Sequence, residues 1–413
     1  VIGGGPAGLF CAISAEVPRE RILVIEKKQH CGRKLLITGS GQCNITHEGE
    51  IISFLSHYGD NGRFLKPSLM NFTNRDLLSF FTGRGLHFET EPGGKIFPKS
   101  RKATDILDLL MRECIRKNIL IHQGEPVSGI EKTDHGFYIL TEKAAYLAEM
   151  VVIATGGLTY PATGSTGDGF GFAQSLGHQV TDTGPALTSV YISDHPFSDL
   201  SGISCAGRTI SIFRDGKQVR QHTGDILFTR TGLSGPGILD ISRFMRPGDM
   251  LKISFLSGID PRTMKTSLID RITAAGNRQV KTIVSGYHLP ERLTRRLLEI
   301  AGIEQDLTGA HLSKKDRTAL IEILTACPVM ISRLGGFNEA MVTRGGVSLD
   351  GVNPKTMESR IVQGLFFIGE VLDIDGDCGG YNLQAAFSTG ILAAKKISGY
   401  ISSPGTHLTD QFS

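Results

Sequence analysis

Val1-Ile2-Gly3-Gly4-Gly5-Pro6-Ala7-Gly8 opens the sequence, and Glu26 stands eighteen residues beyond Gly8. The glycines at 3, 5 and 8 fall where a strand turns into a helix. The first permits the tight turn, the second lets backbone approach a pyrophosphate, and the third allows helix and strand to pack closely. Pro6 suits the first helical position, where no N–H is needed. Helix-like residues 9–16 follow, and then a second strand, 21–25, ends at the acid. The spacing predicts a β-α-β unit that holds a dinucleotide. The diphosphate would sit on the N–H groups and positive end of the helix. Glu26 would accept hydrogen bonds from an adenosine ribose and repel a 2′-phosphate.

Further along, 104–117 has the helical spacing of Ile106, Leu107, Leu109, Leu110, Cys114 and Ile115. Strand-like pieces follow at 119–122, 127–131 and 136–141. The apolar run 150–154 then leads into Thr155-Gly156-Gly157, and Gly164-Ser165-Thr166-Gly167-Asp168-Gly169 forms a second glycine-rich helix entrance. Between 185 and 258 the pattern is short strands and turns, and 262–325 is helical. Strands return at 339–349 and 364–369, and a helix covers 381–397. The expected fold is α/β, a discontinuous Rossmann-like dinucleotide-binding domain interrupted by a β domain that carries a helical subdomain. Its expected segments are 1–184, 185–260 (first part of the β domain), 261–327 (helical insertion), 328–355 (return to the β domain) and 356–413.

Composition narrows the function. Glycine supplies 51 of the 413 residues, about 12%, against about 7% ordinarily. Seventeen of those glycines lie in the four segments around residues 3–8, 32–41, 156–171 and 369–380. Forty-four Lys and Arg against 41 Asp and Glu give a net charge of +3, without the strongly basic signature of a large nucleic-acid surface. The seven cysteines are scattered, with no CxxC and no CxxxxC, which points to free thiols in a reducing, cytoplasmic setting and no metal site. No apolar run approaches the roughly 20 residues of a membrane span.

GxGxxG alone does not separate NAD from FAD. The C-terminal segment does so better, because Leu365-Phe366-Phe367-Ile368-Gly369-Glu370 is a buried strand ending in glycine and an acid. Glu370, or Asp373 nearby, would hold ribityl hydroxyls. Gly379-Gly380-Tyr381-Asn382 opens a helix whose N-terminus would face a flavin pyrimidine edge. Gly32-Arg33-Lys34 and Thr38-Gly39-Ser40-Gly41-Gln42-Cys43-Asn44 form another glycine turn, with Arg33 placed to pair with a diphosphate.

Taken with GGKIFPKS, LFTRTGLSGP and VTRGGV, these motifs resemble the bacterial BaiN-type, aminoacetone-oxidase-like family of NAD(P)/FAD-dependent oxidoreductases, along the whole chain. ATGG followed by GSTGDG is more distantly similar to fumarate reductase and ketosteroid dehydrogenase flavoproteins. The resemblance implies non-covalent FAD, a glutathione-reductase-type FAD domain and an inserted β-barrel with helices. The expected cofactor contacts include Gly3, Gly5, Gly8, Glu26, Arg33 and Lys34 around the ADP half, Asn44 nearer the ribityl chain and flavin, and also Pro6, Ala7, Lys27, Gly41, Cys43 and Val127. Thr155, Gly156, Gly157, Thr166, Gly369, Glu370, Asp373, Gly379, Gly380, Tyr381, Asn382 and Leu383 complete the set. Where the family pattern has Gly at 40 and Arg at 42, this chain has Ser40 and Gln42. It also has Arg230 where His is common, and Cys378.

Flavin itself carries hydride, so the protein supplies orientation and a proton. The candidates are Tyr160 and Tyr381 as proton donors and Arg230 to orient a carbonyl or carboxylate. No second GxGxxG exists, so NAD(P)H would be a transient electron donor. The expected function is reduction of an activated double bond of a small organic substrate through flavin N5. The alternatives are a flavin oxidase of small amines that uses oxygen, or a non-catalytic redox-responsive or RNA-associated flavoprotein.

Overall fold

Five parallel segments form the central sheet of the first unit. A computed structural model describes residues 1–18, 21–256, 261–274 and 276–402. Among these, the sheet order is Leu120–Gln123, Leu23–Glu26, Ile2, Val151–Ile153 and Leu365–Phe367. Ile2 is the seam: its N–H donates to the Val152 carbonyl at 2.8 Å, and the Gly3 N–H to the Ile25 carbonyl at 2.9 Å. Val24, Ile153, Phe366 and Phe367 are fully buried, as expected of parallel strands covered on both faces.

Pro6–Ser14 is apolar around its whole circumference because it packs on more than one side. Leu9, Phe10 and Ile13 are at most 2% exposed, each contributing about 1.5–3 kcal/mol by burial. Phe10 meets Phe72, Phe80 and Phe387 with ring centroids 4.8–5.3 Å apart. The last helix, Tyr381–Ser402, crosses closely at Gly390, where an added Cβ would lie 2.8 Å from the Ala7 carbonyl oxygen. An antiparallel meander, Val127–Thr133, Gly136–Thr141 and Ala145–Ala148, connects the edge segment Leu120–Gln123 to Val151–Ile153.

The chain divides into two compact units, one of Val1–Gly184 with Met341–Ser413, the other Pro185–Ala340. The second unit is a closed six-stranded barrel in the order Val190–Ile192, Gly232–Ser234, Lys217–Phe228, Ser204–Arg214, Met250–Ser254 and Cys327–Leu334. Helices Pro261–Thr273, Val280–Ser285, Glu291–Ile300 and Lys314–Ala326 are inserted before the last strand. They share one core with the barrel, in which Phe228, Phe255, Leu297 and Leu324 are all fully buried.

Two expectations change. The strand expected at 339–349 shortens to Val342–Arg344. Residues 341–355, expected with the β domain, belong to the first unit. The reason is backbone pairing: the Val347 N–H donates to the Val371 carbonyl and the Ser348 N–H to the Gln179 carbonyl, both at 2.9 Å. No described helix is long and apolar enough to cross a membrane, and no described cluster of His, Cys, Asp or Glu would hold a metal.

Candidate functional site

The three motif glycines have separable physical reasons. Gly3 has φ +107°, and a Cβ there would meet the Ala154 carbonyl oxygen at 2.4 Å. A Cβ on Gly8 would lie 2.1 Å from the Gly3 carbonyl oxygen. The fold alone therefore excludes side chains at both. Gly5 differs, with an ordinary φ of −80° and nothing within 4 Å of an added Cβ. It caps the helix at Pro6 without a side-chain hydrogen bond, and it lines a cleft.

That cleft holds about 1360 Å³ of space outside protein atoms, including its open mouth. At one end Glu26 is fixed by two backbone N–H groups, Gly4 donating to Oε2 and Lys28 to Oε1, each at 2.8 Å. Lys27 Nζ pairs with Asp168 at 2.5 Å and bonds to the Thr166 hydroxyl. Glu125 also lines this end, a residue the sequence reading missed. Its N–H donates to the Glu26 carbonyl at 3.0 Å. Its carboxylate accepts from Thr141 at 2.8 Å and from Tyr146 at 2.7 Å, which pushes the Tyr146 hydroxyl pKa up to about 12.

Toward the C-terminal segment, Lys34 Nζ lies 2.7 and 2.9 Å from the two oxygens of Glu370 and 2.6 Å from the Thr159 hydroxyl. The Thr343 N–H donates to the same carboxylate at 3.0 Å. Lys34, expected near the ADP half, and Glu370, expected near the ribityl chain, are thus direct partners. Asn382 ties back the loop before its helix, accepting from the Gly376 N–H at 2.8 Å and donating to its carbonyl at 2.9 Å.

Of the expected contacts, Gly3, Gly5, Pro6, Ala7, Glu26, Lys27, Arg33, Lys34, Val127, Thr155, Gly156, Gly369, Glu370, Asn382 and Leu383 converge on the cleft. Gly8, Gly41, Cys43, Asn44, Gly157, Thr166, Asp373, Gly379, Gly380 and Tyr381 are not part of its lining. Several have structural work instead. A Cβ on Gly157 would meet the Thr343 hydroxyl at 2.3 Å, and one on Gly380 would meet Thr46 backbone at 2.6 Å. The Cys43 thiol is buried and pushed up to about 12. Burial raises the Asp373 carboxyl pKa, against donation from Thr181 and Asn61.

None of the three catalytic candidates lines the cleft. Tyr381 is 4% exposed, its ring stacked between His57 at 4.1 Å and His47 at 5.1 Å. Tyr160 adopts a left-handed conformation, φ 53°, in the loop after Val151–Ile153. Arg230 is an exposed residue of the barrel unit.

The donor set suits FAD. Thr155 Oγ1 is buried in the lining with no hydrogen-bond partner. An unpaired buried hydroxyl costs about 1–3 kcal/mol, so it marks a place for a polar ligand atom. Gly5 leaves room for a backbone-to-phosphate approach, the first turn of Pro6–Ser14 offers N–H groups, and Glu26 stands at the end where a ribose would lie.

Fold and cleft thus define a dinucleotide-binding protein of the Rossmann class. The family described as HI0933-like protein Rossmann domain matches residues 1–396, and the chain belongs to that family. It is 32% identical over 404 residues to a 3-dehydro-bile acid delta(4,6)-reductase of Clostridium scindens, covering 96% of this chain and 97% of the relative. It is likewise 32% identical over 398 residues to the ribosomal RNA dihydrouridine synthase of Escherichia coli, covering 96% and 97%. A quinol-fumarate reductase solved with menaquinol molecules shares the fold, with a TM-score of 0.51 and 16% identity over 98% of this chain and 71% of that one. The expected family and the barrel-bearing Rossmann fold are both found.

Proposed function

We propose that this chain, an FAD-dependent oxidoreductase, reduces a carbon–carbon double bond conjugated to a carbonyl in a small organic molecule, with NAD(P)H as electron donor. One observation carries the reading. Two relatives, each 32% identical to this chain, are named for reductions of unlike molecules, a 3-dehydro-bile acid and a uridine of ribosomal RNA. In both, hydrogen is added across a double bond made electron-poor by a conjugated carbonyl.

Bound FAD would supply the hydride carrier. The chain's own residues hold and orient it. The first-turn N–H groups beside Gly5 and Ala7 receive the diphosphate, and Glu26 receives the adenosine ribose. The Thr155 hydroxyl takes a polar ligand atom inside the cleft. Glu370 and Lys34 hold each other in the wall, so that the cleft is lined there by a fixed, mutually neutralised ion pair whose dipole needs no reorganisation. Seven free cysteines, six of them buried, suit a cytoplasmic setting.

The test is anaerobic reduction of the FAD-loaded protein. Bleaching of the flavin band by NADH or NADPH, followed by recovery when a conjugated enone is added, is the expected result. Failure of both nucleotides to bleach it overturns the choice of donor, and a protein that takes up no FAD overturns the whole reading. The second relative supports a second reading, in which the double bond belongs to a uracil within RNA. A gain of two mass units in RNA, with no recovery on enones, would favour it.

A further inference from the structure

The loop between Val151–Ile153 and helix Asp168–Ser175 is built like a strap. The Gly167 N–H donates to the Gly157 carbonyl at 3.1 Å, drawing the two ends of residues 157–167 together in the manner of an Ω-loop. Inside it, Thr163 N–H bonds to the Tyr160 carbonyl at 2.8 Å and Gly164 N–H to the Pro161 carbonyl at 3.0 Å. Gly156, just before it, and Gly167, its last residue, have φ of +72° and +80°, backbone suited to a hinge.

Its two sides are held differently. Near one foot, the Leu158 N–H donates to the Thr343 hydroxyl at 2.7 Å, and Thr159 is buried against Lys34 and Glu370. The other side reaches across to the opening β-α-β unit. A Cβ on Gly164 would lie 3.2 Å from the Lys28 stem and 3.9 Å from Glu26 Oε1. Lys27 bonds to Thr166 and pairs with Asp168 at 2.5 Å. Thr163, Gly164, Ser165 and Asp168 all line the cleft at this end.

We propose that residues 157–167 form a strap over the adenosine end of the cleft, and that Lys27 is the positioning residue whose pairing with Asp168 latches it and slows cofactor release. This rests on the FAD reading above. The latch joins residues 141 apart in sequence and stays partly exposed, with side-chain exposures of 23% and 35%. It is therefore open to salt.

The test is the dissociation rate of FAD, followed as the rise in free-flavin fluorescence after dilution of the loaded protein. Lys27→Gln and Asp168→Asn are each expected to speed release by about fivefold, the effect of losing one partly exposed pair. Lys27→Arg keeps release slow. At about 1 M salt, where the screening length is about 3 Å, the wild-type rate rises to meet the two variants, whose own rates barely change. Asp168→Asn separates the latch from the alternative that Lys27 binds the diphosphate itself. Release that is slowed or unaltered in Asp168→Asn overturns the latch while leaving the FAD reading intact. A folded wild-type chain that takes up no FAD overturns both.

Discussion

Gly5→Ala and Gly8→Ala add the same methyl group three residues apart and should fail in opposite ways. In the ligand-free protein a Cβ on Gly5 meets nothing within 4 Å, and its φ of −80° is open to alanine. Replacing glycine at a compatible position gains about 0.4–1 kcal/mol through the unfolded chain. Alanine is a poorer helix N-cap than glycine by a similar amount. The two nearly cancel, so the melting temperature of the apoprotein should move by less than about 2 °C. In the proposed binding mode the same methyl would occupy space the diphosphate needs. Overpacking of one methyl costs about 1–3 kcal/mol, which weakens FAD binding by about 5- to 150-fold. Gly8→Ala instead drives a Cβ to 2.1 Å from the Gly3 carbonyl oxygen, a backbone atom that cannot swing aside. It should cost about 3 kcal/mol or more of fold stability even without cofactor. Thermal melts of the apoproteins and fluorescence titration with FAD measure both quantities. An FAD affinity for Gly5→Ala within twofold of wild type would refute the assignment of that glycine to the cofactor. So would an apoprotein melting point lowered by more than about 4 °C.

Two further outcomes follow from strain and from burial. Ser40 has φ 56°, ψ 38°, a left-handed conformation costly for a side chain, so Ser40→Gly should stabilise the protein by about 0.5–1 kcal/mol in chemical denaturation. His178 is 4% exposed, with Nε2 2.8 Å from the Ser359 hydroxyl, and burial lowers its pKa below the usual 6.5. The unfolded chain therefore takes up the proton first. The stabilising contribution is complete above about pH 6.5 and is lost as pH falls from there through the folded-state pKa, by at most about 1.4 kcal/mol per pH unit. Melts between pH 7 and 5 should show this slope, reduced in His178→Gln. An unchanged slope would show that other groups set it.

The local half of this architecture is legible in the sequence, because its physics is local. Gly3, Pro6 and Gly8 announce a strand-to-helix turn within eight residues, and the apolar run before Thr155 announces a buried strand. The barrel is legible as strands and turns, and its helical insertion as a change of period. What escapes is set by distant partners. Lys34 and Glu370 are 336 residues apart, and only the folded sheet shows that they neutralise each other. Residues 341–355 read as part of the β domain, yet their hydrogen bonds go to the Rossmann unit, which no periodicity specifies. Glu125 carries no motif at all; it reaches the cleft because its backbone follows Glu26 across a parallel strand pair. The motif spacing also hides a division among its glycines. Only the geometry separates Gly3 and Gly8, required by the fold, from Gly5, which the fold leaves free.

The order of segments in the central sheet also has a consequence for how the protein is made. Leu365–Phe367 adds the fifth segment, beside Val151–Ile153, only after the whole of Pro185–Ala340 has been synthesised. At about 5–20 residues per second, Val151–Ile153 waits on the order of ten to forty seconds on the ribosome for its outer neighbour. Throughout that interval an apolar strand edge lies open, a hazard for aggregation that invites chaperone cover. Glu370, Asn382 and Leu383 arrive later still, so the cleft is completed only after they have been synthesised. Cofactor uptake then waits on that last segment, and a chain truncated before residue 365 should take up no flavin.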